Sequence, residues 1–472
     1  MANQDLTNDV KFMRRVIFAS SLGTVFEWYD FYLYGSLAVF FGTLFFPKGD
    51  ETIGFLASLA TFGAGFAVRP FGALVFGRIG DVVGRKYTFL VTIVVMGGST
   101  FLVGLMPTYE QIGIWAPILL TVLRLAQGLA LGGEYGGAAT FVAEHSPNER
   151  RGFYTSGIQT TATLGFLLSL IVILICRSSL GDAQFKIWGW RIPFLVSFVL
   201  LLLSVYIRLK LDESPVFLKL KSSGKTSKSP LRESFLRWSN LKIVLIALFG
   251  ATAGQGVVWY TGQFYALFFL QNTLKIEYHV AYLLIAVALV IATPFFVFFG
   301  HLSDKIGRKK IIMVGLIVAA AVYLPIFKGL THFGNPALEQ AINTSPIVIQ
   351  YSKCDKECAL MQDFLAKKGY KYENKFIPEA AALSISVGSA QIQGAAFLVE
   401  IFPTSIRYTS MSLPYHLGNG WFGGFLPLIA ASVVVKTGNI YAGLYYPIAV
   451  ALMSFVLGMY LIKKSKGHDI DS

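Results

Sequence analysis

The sequence predicts an all-α membrane protein with twelve transmembrane helices arranged as two pseudo-symmetric six-helix bundles. Three observations carry this. First, hydrophobic residues make up 54% of the 472 residues, charged residues only 14%, and mean hydropathy is +0.60, whereas soluble domains carry about 25% charged residues. Second, apolar windows begin near residues 17, 53, 89, 117, 155, 193, 241, 279, 311, 379, 411 and 441. Each is about 20 residues long, enough for a helix to cross roughly 30 Å of hydrocarbon. Third, a polar phrase recurs: GRIGDVVGRK at 77–86 and GHLSDKIGRK at 300–309, 223 residues apart. A second pair, AEHSPNERR at 143–151 and VEIFPTSIR at 399–407, aligns Glu144, Pro147 and Arg151 with Glu400, Pro403 and Arg407 at an offset of 256. Repeats of this kind mark duplicated membrane halves, and the difference between the offsets places an insertion of 33 residues in the second half. The expected division is an N-terminal bundle over 1–210, a central loop over 211–240, and a C-terminal bundle over 241–472 with the insertion at about 331–378.

Most of the 40 Lys and Arg residues fall on one side of the spans if both termini are cytoplasmic, the distribution expected of inward-facing loops. The net charge of +14 is therefore explained by topology and headgroup contact rather than by nucleic acid. The expected location is the cell inner (plasma) membrane, multi-pass. Lys11, Arg14 and Arg15 precede span 1 as in a signal peptide, but the span is too long and contains Glu27 and Asp30, so it is expected to stay attached.

In span 1, Ser20, Gly23, Glu27, Asp30 and Tyr34 share an arc of about 80°, and Leu22, Val25, Phe26, Tyr29 and Leu33 lie opposite. A carboxylate in hydrocarbon costs roughly 3 kcal/mol. Two on one face imply either buried ion pairs or proton carriage, with Glu27, Asp30 and Glu134 as the candidate carriers. Span 2 holds Arg69 followed by Pro70. Span 4 sets Arg124, Gln127, Leu131, Glu134 and Tyr135 on one face among Gly128, Gly132, Gly133, Gly136 and Gly137, and those glycines permit close helix approach. Arginine keeps its proton in proteins. Arg69 and Arg124 therefore either pair with Glu27, Asp30 and Glu134 or hold a substrate carboxylate through bidentate hydrogen bonds. In the repeated phrase, Gly77, Gly84 and Gly307 suit tight turns, and Asp81, Arg85, Asp304 and Arg308 suit a latch at the cytoplasmic mouth; the alternative is a basic turn resting on headgroups. Span 7 offers Tyr260, Gln263 and Tyr265, and span 11 offers Tyr415, His416 and Asn419, as ligand-orienting groups; with Tyr34 and Gln127 these complete the substrate-binding candidates. Trp259 and Tyr260 echo Trp28 and Tyr29 in span 1. In the insertion, Cys354 and Cys358 either form a local disulfide or stay free. No metal ligation is expected there, because no His accompanies the pair. Pro336, Gly369 and Pro378 bound a lysine-bearing segment (Lys353, Lys367, Lys368, Lys371, Lys375) that is either a small lid or a solvated loop. Cys176 reads as a small core residue.

The repeated G-x-x-x-D-x-x-G-R-K phrase resembles that of the major facilitator superfamily. Within it, EWYDFYLYG at 27–35, RPFGALVFGRIGDVVGRK at 69–86, RLAQGLALGGEYGGAATFVAE at 124–144, GWRIPF at 189–194 and LDESPVF at 211–217 resemble the metabolite:proton symporter branch. The resemblance spans almost the whole chain. It implies two bundles rocking about a midplane site, and proton-coupled import of organic acids such as dicarboxylates, tricarboxylates, 2-oxoglutarate or shikimate, or of zwitterions such as proline and betaine. It also implies that Glu27, Asp30, Arg69 and Arg124 serve coupling and substrate binding. The second copy of the phrase departs by having His301 after Gly300, where the first has Arg78 after Gly77, and the insertion is a further departure.

Two fixed cations favour a ligand with a carboxylate, so the expected function is import of a small organic acid with protons by alternating access. A zwitterion such as proline or betaine is the second choice, export remains open, and a non-transporting nutrient sensor is the reading from a different class. No P-loop, G-x-S-x-G or H-E-x-x-H phrase occurs, so no enzyme and no cofactor is expected. The expected partners are substrate, protons and lipid, with the protein working as a monomer.

Overall fold

The computed structural model describes residues 21–83, 85–133, 139–140, 142–143, 146–209, 222–223, 230–344, 393–403 and 406–462. Ten helices among them are long and apolar enough to cross a membrane. In chain order the spans are α1 (21–45, with a turn at Leu37), α2 (Glu51–Gly80), α3 (Arg85–Leu105), α4 (Trp115–Gly132), α5 (Arg151–Gln184), α6 (Arg191–Leu209), α7 (Trp238–Thr273), α8 (Tyr278–Ile306), α9 (Arg308–Gly334), α10 (Gln393–Ile401), α11 (Arg407–Thr437) and α12 (Ala442–Leu461). The fold is the twelve-helix one the sequence predicts, and the described starts fall within a few residues of the apolar windows. Among the described residues α10 is the short second-half exception, because its predicted start at 379 lies outside them.

Local chemistry fixes the ends. Asp50 caps α2 by accepting from the Thr52 backbone N at 2.7 Å, satisfying one orphan donor of the first turn. Pro70 restarts the same helix after a kink at Val68. Gly307 sits at φ 92 between α8 and α9, a conformation that side chains resist. Gly77, expected in a turn, is instead helical and packs against Thr409. The reason is that the turn falls after Val82, so the glycine serves helix contact. The central loop contributes a short helix, Pro230–Phe235, and a further helix, Pro336–Thr344, follows α9. Cys354 and Cys358 lie outside the described residues, whereas Cys176 is a buried free thiol.

Two features of packing shape the interior. Where α4 crosses α2, a Cβ on Gly128 would collide with the Gly65 backbone and one on Gly132 with the Arg69 carbonyl, so only glycine lets these helices touch and brings Arg69 and Arg124 together. The backbone also widens into π-helical turns at Leu248–Thr252, Thr261–Tyr265 and Phe269–Thr273 of α7 and at Leu417–Gly424 of α11. Such turns cluster at functional sites, and here they carry Gln263 and Asn419. Exposed Val199, Leu202, Val290, Phe298, Val314 and Tyr460 form the apolar exterior that faces lipid.

Candidate functional site

Arg69 and Arg124 are each 0% exposed and flank one ring, Phe31 of α1. The Arg69 guanidinium stands 4.2 Å from its centroid and that of Arg124 4.3 Å. Arg69 also lies 4.2 Å from Phe66 and 5.6 Å from Trp28, and Arg124 lies 4.6 Å from Tyr34 and 5.4 Å from Phe62. Faces of aromatic rings attract a desolvated cation by up to about 2 kcal/mol each, which offsets part of the burial cost. Hydrogen bonding separates the two. Arg124 donates to the Phe31 carbonyl at 3.3 Å and to Gln127 Oε1 at 2.6 Å, and Gln127 Nε2 donates onward to Thr100 Oγ1 at 2.8 Å. The three guanidinium nitrogens of Arg69 are buried and make no well-formed hydrogen bond, with the Tyr260 hydroxyl as their polar neighbour. Neither arginine has a carboxylate within ion-pair distance among the described residues.

The second half closes over this pair. Tyr260 packs edge-on to Phe66 at 5.1 Å, and His416 is buried between Arg69 and the backbone of Gly132. Asn419 Nδ2 donates to the Tyr415 carbonyl at 3.3 Å. Gln263 Oε1 and Trp259 Nε1 are also buried without partners. Tyr34 spends its hydroxyl on Ser58, donating to the carbonyl at 3.1 Å.

The carboxylates of α1 form a separate cluster. Glu27 pairs with Arg208 of α6 at 3.9 Å, both side chains buried, and Asp30 lies beside Ser197 of the same helix. Neither Glu27 oxygen has a hydrogen bond, and Asp30 Oδ1 has none either. The single polar wall expected of α1 is therefore two faces: Glu27 and Asp30 turn toward α6, while Phe31 and Tyr34 turn toward α2 and α4. Pairing of Arg69 or Arg124 with Glu27 or Asp30 does not occur, because Arg208 takes Glu27. Sequence reasoning missed Arg208, which adjoins the lysine-rich central loop yet folds into the bundle over the Phe89 ring at 4.5 Å. Glu134, Tyr135 and Glu144 lie outside the described residues.

Where the repeated phrase ends α8, Asp304 reaches across to the N-terminus of α5. Its two oxygens accept from the backbone N of Gly152 at 2.8 Å and of Phe153 at 3.0 Å, so a carboxylate of one half caps a helix of the other. Arg308 donates to Asp304 at 2.9 Å and to both oxygens of Glu400 at 2.8 and 2.6 Å, and Arg151 lies 3.5 Å from Glu400. Of the first-half counterparts, Asp81 and Arg85 lie outside the residues whose side chains are described. On the opposite side Tyr282 donates to the Ser36 carbonyl at 2.6 Å, so the halves touch at both ends of the spans.

The chain is 32% identical over 462 residues to the glycine betaine/proline/ectoine/pipecolic acid transporter OusA of Dickeya dadantii, covering 95% of this chain and 83% of that protein. The chain belongs to the major facilitator superfamily. The proline/betaine transporter of Escherichia coli is 31% identical over the same share, and residues 16–244 match the family described as sugar (and other) transporter. Among solved structures, the proton:xylose symporter XylE bound to 6-bromo-6-deoxy-D-glucose aligns with 98% of this chain and 98% of its own at a TM-score of 0.73 and 16% identity. That likeness shows the twelve-helix superfamily fold. The superfamily's transporters share the architecture described above, so this chain is a multi-pass membrane transporter.

Proposed function

We propose that the protein is a proton-coupled symporter of a small zwitterion of the proline and betaine kind. The observation that carries this is Arg69: a buried guanidinium set among aromatic faces and the Tyr260 hydroxyl, with no carboxylate partner among the described residues. Arg124 is held by Phe31 and Gln127, which leaves Arg69 to take one ligand carboxylate rather than the two or three of a larger acid. A zwitterion brings that carboxylate and no net charge. The organic-acid substrate ranked first from sequence thus gives way to the zwitterion ranked second, in keeping with the names of the curated relatives.

Coupling rests on α1, which adjoins both clusters. Glu27 and Asp30 face α6 and are followed directly in the chain by Trp28 and Phe31, which face Arg69, so a proton on either carboxylate and a ligand on Arg69 act on the same helix. The loaded carrier then moves with its buried carboxylate neutral, which removes most of the cost of a charge in hydrocarbon. In this scheme Asp304, Arg308, Glu400 and Arg151 hold the cytoplasmic mouth shut until the ligand exchanges that closure for another. Tyr260, Gln263, Tyr415 and Asn419 shape the ligand's second-half wall, and the site works in the inner membrane with both termini cytoplasmic.

Proteoliposomes with an imposed inward proton gradient test the proposal. Radiolabelled proline and glycine betaine are expected to accumulate above equilibrium, and succinate is not. Accumulation of succinate with exclusion of both zwitterions would overturn the reading.

A further inference from the structure

The Tyr32 side chain of α1 occupies a box made of four other aromatic rings. Trp28 lies 5.0 Å from it, centroid to centroid, at an interplanar angle of 20°, and Trp259 of α7 lies 5.1 Å away at 29° on its other side. Phe264 at 5.2 Å and Phe166 at 5.7 Å, themselves 4.7 Å apart, close a further side together. The two indoles come from corresponding spans of the two halves, so the box straddles the axis about which the halves are related. All five side chains are buried. Trp28 is also a neighbour of the Arg69 guanidinium at 5.6 Å, and Trp259 Nε1 is buried with no acceptor.

We propose that this box is the ammonium subsite of the carrier, and that Tyr32 is a plug which the ligand displaces. The inference rests on the zwitterion reading above and assigns each end of such a ligand to its own wall. The carboxylate is held by Arg69, with the Trp259 indole N–H as a further donor. The quaternary or secondary ammonium enters between the Trp28 and Trp259 faces. A spacing of about 5 Å on each side of a central group is that of a cation over an aromatic face, and it is here filled by the Tyr32 ring. No carboxylate is needed near the ammonium. That fits a pocket beside two guanidinium groups, where an acidic side chain would be drawn into an ion pair with arginine. Because Trp28 and Trp259 belong to different halves, an ammonium between them takes over the contact between halves that the Tyr32 ring makes here with Trp259. The hydroxyl of Tyr32 neighbours that of Tyr260.

The decisive comparison is between glycine betaine and 3,3-dimethylbutanoate, which has the same shape and carboxylate but a neutral carbon in place of the nitrogen. Binding to the purified full-length protein is measured by calorimetry, and competition is measured in the uptake assay. The box predicts that the carbon isostere binds at least tenfold more weakly than betaine. In Trp28→Leu and Trp259→Leu the two ligands approach equal affinity, and Trp28→Phe and Trp259→Phe restore part of the preference. Tyr32→Ala, by emptying the box, is expected to strengthen betaine binding. An isostere within twofold of betaine in the wild type overturns the proposal without recourse to any variant, as does a failure of betaine to bind. Betaine binding with the expected preference but no proton-driven accumulation upholds the box and faults the transport reading alone. Accumulation without the preference does the reverse.

Discussion

At the scale of single residues, the protein is organised by where buried arginines find compensation. Arg124 finds two oxygens and Arg208 finds Glu27, whereas Arg69 finds rings and the neighbouring Tyr260 hydroxyl but no carboxylate among the described residues. Replacing Arg69 by Lys keeps the charge and loses the planar fork that grips a carboxylate. A charge-assisted hydrogen bond contributes about 2 kcal/mol, so Arg69→Lys is expected to raise the KM for betaine roughly thirtyfold, read in the uptake assay with protein abundance in the membrane unchanged. Arg208→Ala strands Glu27 in the bundle, and breaking a buried pair costs about 3 kcal/mol. The melting temperature in detergent should fall for Arg208→Ala, and the double variant with Glu27→Gln should recover part of the loss. Equal losses for single and double variants would show that the 3.9 Å pair carries no coupling. Asp30→Asn fixes the neutral form: proton-driven accumulation should vanish while exchange of labelled for unlabelled betaine persists. Arg69, Arg124, Glu27 and Asp30 were legible in the sequence because a lone charge inside an apolar run has few structural explanations. Arg208 was not, since position alone does not separate the last turn of a span from the basic loop that follows. The aromatic surroundings of Arg69 were also illegible, for they come from α1 and α2 and depend on how those helices cross.

At the scale of elements, the contact between α5 and α8 shows how a repeated phrase becomes a device. Gly152 and Gly300 let the two helices approach until an added Cβ at Gly152 would meet Asp304 Oδ1 at 2.7 Å and Ser303 Oγ at 2.5 Å. Asp304 then reaches the free amides of α5. Gly152→Ala overpacks this junction, at a cost of about 1–3 kcal/mol, and should lower the melting temperature. Asp304→Asn keeps the shape while removing the charge from the helix N-terminus, at about 1 kcal/mol. If the junction acts as a latch, Asp304→Asn lowers the KM or raises the rate of betaine exchange while costing little stability. A change in stability with no change in exchange would make it a structural joint. The element boundaries were the most readable part of the chain, because apolar runs of about 20 residues admit one structure in a bilayer. The role of Gly77 was misjudged for a physical reason: glycine serves turns and helix contacts alike, and the sequence does not distinguish them. The π-helical turns of α7 and α11, which carry Gln263 and Asn419, left no sequence signal beyond several glycines.

At the scale of the whole molecule, α1 packs against two buried clusters, the arginine pair of α2 and α4 on one face and Arg208 of α6 on another. In the proposed scheme ligand binds where the halves meet and protons bind where α1 meets α6, so α1 adjoins both. The halves touch at Ser36 and Tyr282 on one side and at Gly152 and Asp304 on the other, an arrangement with the central site enclosed. A carrier of this design moves ligand and proton together in one direction, so each flux should drive the other. The direct measurement uses proteoliposomes with a trapped pH-sensitive dye and no initial gradient. Adding glycine betaine outside should acidify the lumen in the wild type and leave it unchanged in Asp30→Asn. Betaine entry into wild-type vesicles with no acidification would contradict the account.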